Sequence, residues 1–371
     1  MSVIRPLVVS LLCCRILEPA CSQVLSFTSI PSGYTGDSIP LPRTFAGALA
    51  ADPNDDLTVY ASIGSFLDAE LVRIDLASGA VTTVADGPFG NLAGIAVLSA
   101  TQLALVDNAS APGGPPDRTI LLAQDLNADR DFNDPGEIGE LIEPILTGFF
   151  GWSGAQARVV PPGNSSGIPA GSVPIQTADG GGEGDLLVVA DPLGTPDFRP
   201  IGGAFFTGFD FNGGFDFDSA GNLLVGAANV IDPTFFVIVG NVLALEDVDQ
   251  DESIGAGESN QVVSGEQLPN GIFDLVIDAE DDVFVTSGGE VLSFPAPAAP
   301  LIETATPSLF VGTNSFFLTG LMINSKLRQF EPSSGSSGAT LVIGSGFGEL
   351  NLLSLRPEIT ASVENWELYH E

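Results

Sequence analysis

The chain has 371 residues, 44% of them hydrophobic, enough to bury one large core or two ordinary ones. Its 47 acidic residues against 11 basic ones leave a net charge of −36, which makes nucleic acid and anionic membrane surfaces poor partners. Mean hydropathy is positive in spite of that charge, so the chain is no disordered acidic tail, and 44 Gly with 27 Pro argue against helices.

Residues 1–22 have the form of an export signal: Arg5, the apolar run P-L-V-V-S-L-L-C-C, then Ala20-Cys21-Ser22 with small residues at 20 and 22. All three cysteines (Cys13, Cys14, Cys21) fall inside it, so the mature chain would hold no disulfide. A lipid anchor at Cys21 is disfavoured by Glu18 and Pro19 just before it. Beyond residue 22 no apolar run approaches the roughly 18–20 residues that a membrane-spanning helix needs. The expected location is secreted, extracellular or periplasmic. An acidic chain whose only lysine is Lys326 also suits a salt-adapted protein.

Residues 23–43 form an N-terminal segment in which Val24–Ile30 (V-L-S-F-T-S-I) is a lone strand. From residue 44 to 356 a repeat can be aligned by its turn. D-P-N-D-D-L-T-V-Y (52–60), L-S-A-T-Q-L-A-L-V (98–106), D-S-A-G-N-L-L-V-G (218–226) and D-A-E-D-D-V-F-V-T (278–286) superpose without gaps. Each is a hairpin of β-branched and aromatic residues around turn formers, followed by a second hairpin such as 69–85. Two less regular units run from G-A-Q-A-R-V-V (154–160) to D-L-L-V-V-A-D (185–191) and from F-F-L-T-G-L-M-I (316–323) to T-L-V-I-G (340–344). Six units of four strands each predict an all-β, six-bladed β-propeller of antiparallel blades closed by strands from both termini. The closing strand is expected to be Val24–Ile30, paired beside Glu349–Leu355; the alternative is the tail 357–371, through Ile359–Trp366.

Two acidic stretches interrupt the repeat after apolar strands, 119–123 and 241–245. In D-V-D-Q-D-E-S-I-G-A-G-E, Asp247, Asp249, Asp251 and Ser253 alternate and Glu258 closes a twelve-residue loop, with Ile254 at position 8. In D-L-N-A-D-R-D-F-N-D-P-G-E the same alternation is carried by Asp125, Asn127, Asp129 and Asp131, with Phe132 at the apolar position and Glu137 closing one residue late. A hard divalent cation takes six to eight oxygens, and alternate residues of a tight loop aim theirs at one centre. Both stretches therefore resemble EF-hand-like (dockerin-like) calcium loops set on hairpins, with Arg130 and Glu252 where the sharp turn favours Gly. The plainer alternative is a pair of solvated acidic turns.

The segments N-G-G-F-D-F-D-S-A-G-N-L-L-V-G (212–226) and L-P-N-G-I-F-D-L-V-I-D-A-E-D-D-V-F-V (268–285) resemble repeats of NHL-type and gluconolactonase/regucalcin-type propellers. That resemblance implies a metal on the central axis held by a Glu, two Asn and an Asp. Asn270-Gly271 is similar to one element of that pattern, whereas Ala46–Ala51 carries no Glu where the first ligand would stand.

Catalytic inventory is thin. The only histidine, His370, lies beside the C-terminus, which disfavours a Ser-His-Asp triad, and G-W-S-G-A (151–155) lacks a following helix to make it a nucleophile elbow. The aromatics of 205–217 could stack on carbohydrate, though alternate spacing more often packs a blade. Asn108 and Asn164 lie in N-glycosylation triplets. The expected function is a secreted, calcium-binding, monomeric propeller that binds a protein or carbohydrate ligand. The alternative is a metal-dependent hydrolase or lactonase with an axial site.

Overall fold

In the computed structural model the described residues are 24–52, 55, 57–65, 67–107, 119–142, 159–178, 184–202, 211–232, 237–255, 257–323, 339–346 and 349–358. They form six antiparallel sheets and no helix. Residues 1–22, read above as an export signal, Asn108, Trp152-Ser153, three of the six aromatics of 205–217 (Phe205, Phe206 and Phe209) and the tail beyond Glu358 lie outside them.

Blade one runs Phe45–Ala51, Thr58–Ser65, Asp68–Asp75, Val81–Phe89, and blade two runs Leu92–Ser99, Gln102–Asp107, Thr119–Gln124, Ile138–Ile142. Blade four runs Phe211–Phe217, Leu223–Asp232, Val237–Leu245, Ser259–Val263. In each the chain moves from the inner strand to the outer one. All four aligned turns are first-to-second strand turns, of blades one, two, four and five. Blade three shows three described strands, Val173–Ala178, Gly184–Ala190 and Asp197–Gly202.

Six buried apolar clusters account for the ring, because each one is shared by two consecutive blades. Blades one and two share Leu71, Phe89, Ile95 and Leu105; two and three share Ala104, Ile120, Ile175 and Val189; three and four share Val188, Phe215 and Val225. Blades four and five share Leu224, Val242, Ile277 and Val285; five and six share Val276, Phe284, Leu321 and Ile343; six and one share Met322, Val342, Phe45 and Ile63. Period-two alternation divides a strand between its neighbours: Leu223, Val225 and Ala227 face blade three, and Leu224 and Ala228 face blade five. Burial on both faces makes these strands nearly continuous apolar runs, and the repeat is legible in the sequence for that reason.

Closure differs from the expectation. Phe27–Ser29 pairs with Ser308–Thr313 as a fifth strand of blade five, after Leu275–Ile277, Asp282–Ser287 and Glu290–Pro295. The strand beside the last blade is Tyr34–Pro40, in register from Tyr34↔Pro357 to Pro40↔Asn351, outside Gly320–Ile323, Leu341–Gly344 and Asn351–Pro357. Residues 24–30 make no ladder to 349–355; their link is a side chain. Asn351 Oδ1 accepts from Leu25 N and its Nδ2 donates to Leu25 O, both at 2.8 Å. Tyr34–Pro40 (Y-T-G-D-S-I-P) was hidden because an outermost strand needs little apolar content: only Ile39 within it is buried.

In blade four, Asp218 Oδ1 accepts from Asn222 N and Oδ2 from Asn222 Nδ2, at 2.7 and 2.8 Å. In blade five the equivalent residue is Asp282, whose carboxylate cannot donate. Asp278 Oδ1 accepts from the N–H groups of Glu280 and Asp282, while Oδ2 is buried without a partner. Burial first, and then the charges of Asp282 and Glu280, push the Asp278 carboxyl up to about 7. Because its folded pKa exceeds the unfolded value, the folded state holds the extra proton between the two, and stability falls as pH rises toward 7. Asp282→Asn restores the missing donor and removes a like charge. It is expected to add about 1–2 kcal/mol at about pH 8 and clearly less at about pH 5. Thermal unfolding at the two pH values checks this, and an equal or negative change at both would refute it.

Candidate metal loops and the central channel

Both acidic loops join a third strand to an outer strand, at the same topological position in blades two and four. Antiparallel order puts them on the face that carries the first-to-second strand turns. Asp125 N–H confirms it by donating to Thr101 O at 2.9 Å.

Their internal geometry matches position by position. Asp125 Oδ2 accepts from Arg130 N, and Asp247 Oδ2 from Glu252 N, each at 3.0 Å. Asp129 Oδ1 accepts from Asp131 N, as Asp251 Oδ1 does from Ser253 N. Glu137 Oε1 accepts from Leu126 N and Oε2 from Asp134 N; Glu258 Oε1 accepts from Val248 N and Oε2 from Gly255 N. The fourth and sixth positions take left-handed backbone in both loops, at Ala128, Arg130, Gln250 and Glu252. Arg130 and Glu252 thus adopt the turn that Gly would ease. The extra residue of the first loop lies ahead of Glu137 and does not change what that carboxylate binds.

Each loop is anchored by its eighth residue in a seam between blades. Phe132 is buried among blades one and two, with its N–H on Val84 O at 2.7 Å. Ile254 is buried among blades three and four. The second loop also rests on residues 164–167: Asp247 N donates to Ser165 O at 3.3 Å. A Cβ added to Gly167 would stand 2.0 Å from Asp247 Oδ2, so only glycine permits this approach.

The second loop brings together three of its predicted residues. Carboxylate oxygens of Asp247, Asp249 and Glu258 lie within 4.8 Å of one another, a group that could hold a metal ion. Asp247 and Glu258 are buried, and Asp249, Asp251 and Ser253 are exposed. Desolvation, then Asp251 and Glu258, raises the Asp249 carboxyl, while the Gly255 N–H, working against desolvation, holds Glu258 low. A bound cation would relieve the like charge that raises Asp249. In the first loop Asn127 Nδ2 donates to Asp129 and Asp134, so an amide rather than a carboxylate faces its centre. Among the described residues the close carboxylate group is confined to the second loop; in the first, Asp125 and Asp131 are half-buried and Glu137 is buried.

The channel is differently made. Four of the described inner strands are apolar, F-A-G-A-L-A-A, L-A-G-I-A-V-L-S, L-V-I and G-L-M-I, whereas that of blade four, F-N-G-G-F-D-F, carries Asn212 and Asp216. Asp216 and Asp274 are buried at blade junctions, where Asp216 Oδ2 accepts from Ile277 N at 2.9 Å and Asp274 Oδ2 from Leu321 N. Each spends its charge tying one blade to the next, a role that nothing in the repeat pattern announced. Asn270 is exposed in a turn before Gly271. No carboxylate stands at Phe45–Ala51, so the axial Glu/Asn/Asn/Asp set does not fit the described residues. Asn164 is closed to modification in the folded chain, since Nδ2 donates to Pro161 O and Ile168 O and Oδ1 accepts from Ser166. Among the described residues no helix is long and apolar enough to cross a membrane.

No protein-family model matches this chain, and no curated protein matches it in sequence. Solved structures match in fold. A gluconolactonase from Xanthomonas campestris is 11% identical with a TM-score of 0.54, over 92% of this chain and 97% of that one. A Trichoderma reesei carbohydrate-active enzyme of family AA12 is 9% identical with a TM-score of 0.60, over 91% and 100%. A calcium-binding regucalcin from Agrobacterium tumefaciens is 15% identical with a TM-score of 0.51, over 87% and 93%. The chain has the six-bladed architecture of gluconolactonase- and regucalcin-like propellers.

Proposed function

We propose that this is a secreted, monomeric propeller, held together by calcium in its two blade-clamping loops, that works by binding a partner. One observation carries the reading: the clustered carboxylates Asp247, Asp249 and Glu258 lie in a blade-clamping loop, while Asp216 and Asp274 on the inner side are committed to backbone N–H groups. Calcium is favoured over softer ions because every candidate ligand is an oxygen. Asp247, Asp249, Asp251 and Glu258 would hold the ion in blade four, with Ser253 at the rim; Asp125, Asn127, Asp129, Asp131 and Glu137 would do so in blade two. The ion's part is structural, since it neutralises carboxylates that otherwise repel.

A second reading, a metal-dependent hydrolase or lactonase with an axial site, draws its support from the likeness of architecture to gluconolactonases. The fold speaks for it and the inner-strand chemistry against it. Incubating the purified protein with glucono-lactone and calcium, zinc or manganese separates them. The binding reading expects no hydrolysis above the uncatalysed rate with any of the three, and metal-dependent turnover that chelation abolishes would overturn it.

A further inference from the structure

Glu349 is 7% exposed, and its Oε2 is buried without a hydrogen-bond partner. Its Oε1 lies 3.3 Å from Ser315 Oγ, on the connection from blade five to blade six. That hydroxyl is also 3.0 Å from Ser345 Oγ and from Phe317 O, so its single proton is contested by three acceptors. Among the described residues no arginine meets Glu349: Arg43 is held by Asp68 and Glu70, and Arg356 by Asp37. A carboxylate buried in this way is costly until a cation with N–H donors reaches it.

Beside it the N-terminal segment is gripped by two asparagines. Asn314, next to Ser315, donates to Val24 O at 3.0 Å and accepts from Ser26 N at 2.7 Å. Asn351, two residues after Glu349, holds Leu25 through both N and O. Phe27–Ser29 is antiparallel to the fourth strand of blade five, and therefore runs in the sense of a third strand, which is what Asn351–Pro357 is in blade six. Two residues before Leu25 is residue 23, and two before Asn351 is Glu349, a step of about 7 Å in the same direction along either chain.

We propose that removal of residues 1–22 leaves the α-amino group of Gln23 as the partner of Glu349, an ammonium docked in the seam that closes the ring. The expected cut after Ala20-Cys21-Ser22 makes Gln23 the first residue. Hydrolysis of the Ser22–Gln23 bond by an export peptidase puts the hydroxyl of water on the Ser22 carbonyl and its hydrogen on the Gln23 nitrogen. That amine takes up a further proton near neutral pH. In the precursor the same nitrogen belongs to an amide, uncharged and with one N–H, so the pair forms only on processing. Maturation then locks blades five and six together once the chain has been exported. The inference rests on the export in the proposed function, and on neither calcium nor a partner.

Mass spectrometry of protein exported with its own residues 1–22 is expected to show Gln23 first, with its amine intact. Melting temperatures are then compared for that chain and for one carrying Gly-Ser ahead of Gln23, each with and without E349Q. The free terminus is expected to melt about 2–4 °C above the extended one, and E349Q to remove the difference. A chain that keeps residues 1–22 overturns the export reading together with the inference. The inference alone is overturned by a mature terminus other than Gln23, or by cyclisation of Gln23 with loss of its amine as ammonia. Equal melting of the free and extended chains, or a difference that survives E349Q, overturns it as well.

Discussion

Calcium is expected to raise the melting temperature of the protein, and chelation to lower it. An ion that binds only the folded state stabilises it by RT ln(1 + [L]/Kd), about 2.7 kcal/mol per site at a hundredfold excess over Kd, so two sites contribute roughly 5 kcal/mol. The effect should spread beyond the loops, because Phe132 and Ile254 are built into the seams between blades one and two and between three and four. Asp247→Ala should abolish most of the second loop's share. It removes a ligand and also the acceptor of the Asp251 and Glu252 N–H groups. Its own cost in chelator should stay near 1–2 kcal/mol, the worth of those hydrogen bonds, against a larger loss in calcium. Calorimetry in calcium and in chelator, on both proteins, reads the difference; a melting temperature indifferent to calcium would eliminate the structural role.

Deleting residues 24–40 is expected to be the most damaging change of all. It strips the outer strand from blade six and the fifth from blade five, exposing an unpaired edge at each. It also removes Leu25 and Ile39, 1% and 3% exposed, from the two seams that close the ring. Two such side chains at about 2 kcal/mol each, with the lost ladder, make a deficit of roughly 5 kcal/mol or more. Asn351→Ala isolates one part of that link, leaving Leu25 N and O buried and unpaired for about 2–3 kcal/mol. Denaturant unfolding measures both. A deletion that shifts the midpoint no more than Asn351→Ala does would mean that closure rests on the blade seams alone.

Much of this molecule can be read from its residues in order. Four gapless turns, each between strands buried on both faces, declare the blades, since a strand flanked by two neighbours must be apolar at odd and even positions alike. The carboxylates of the second acidic loop meet because the spacing is local: alternation over twelve residues brings Asp247, Asp249 and Glu258 together, and in both loops the sixth position turned left-handed without glycine. What stayed hidden depended on distant partners. Tyr34–Pro40 became the closing strand through pairing with Asn351–Pro357, and its edge position asked for almost no apolar side chains. Asp216 and Asp274 could pass for channel ligands until Ile277 and Leu321 supplied the backbone N–H groups they bind. Asp278 differs from Asp218 through the residue four positions on, yet only burial turns that exchange of Asn for Asp into an orphaned oxygen. Local spacing follows from the chain's own geometry, whereas pairing at an edge and the surroundings of a charge are decided by residues brought near only when the ring closes.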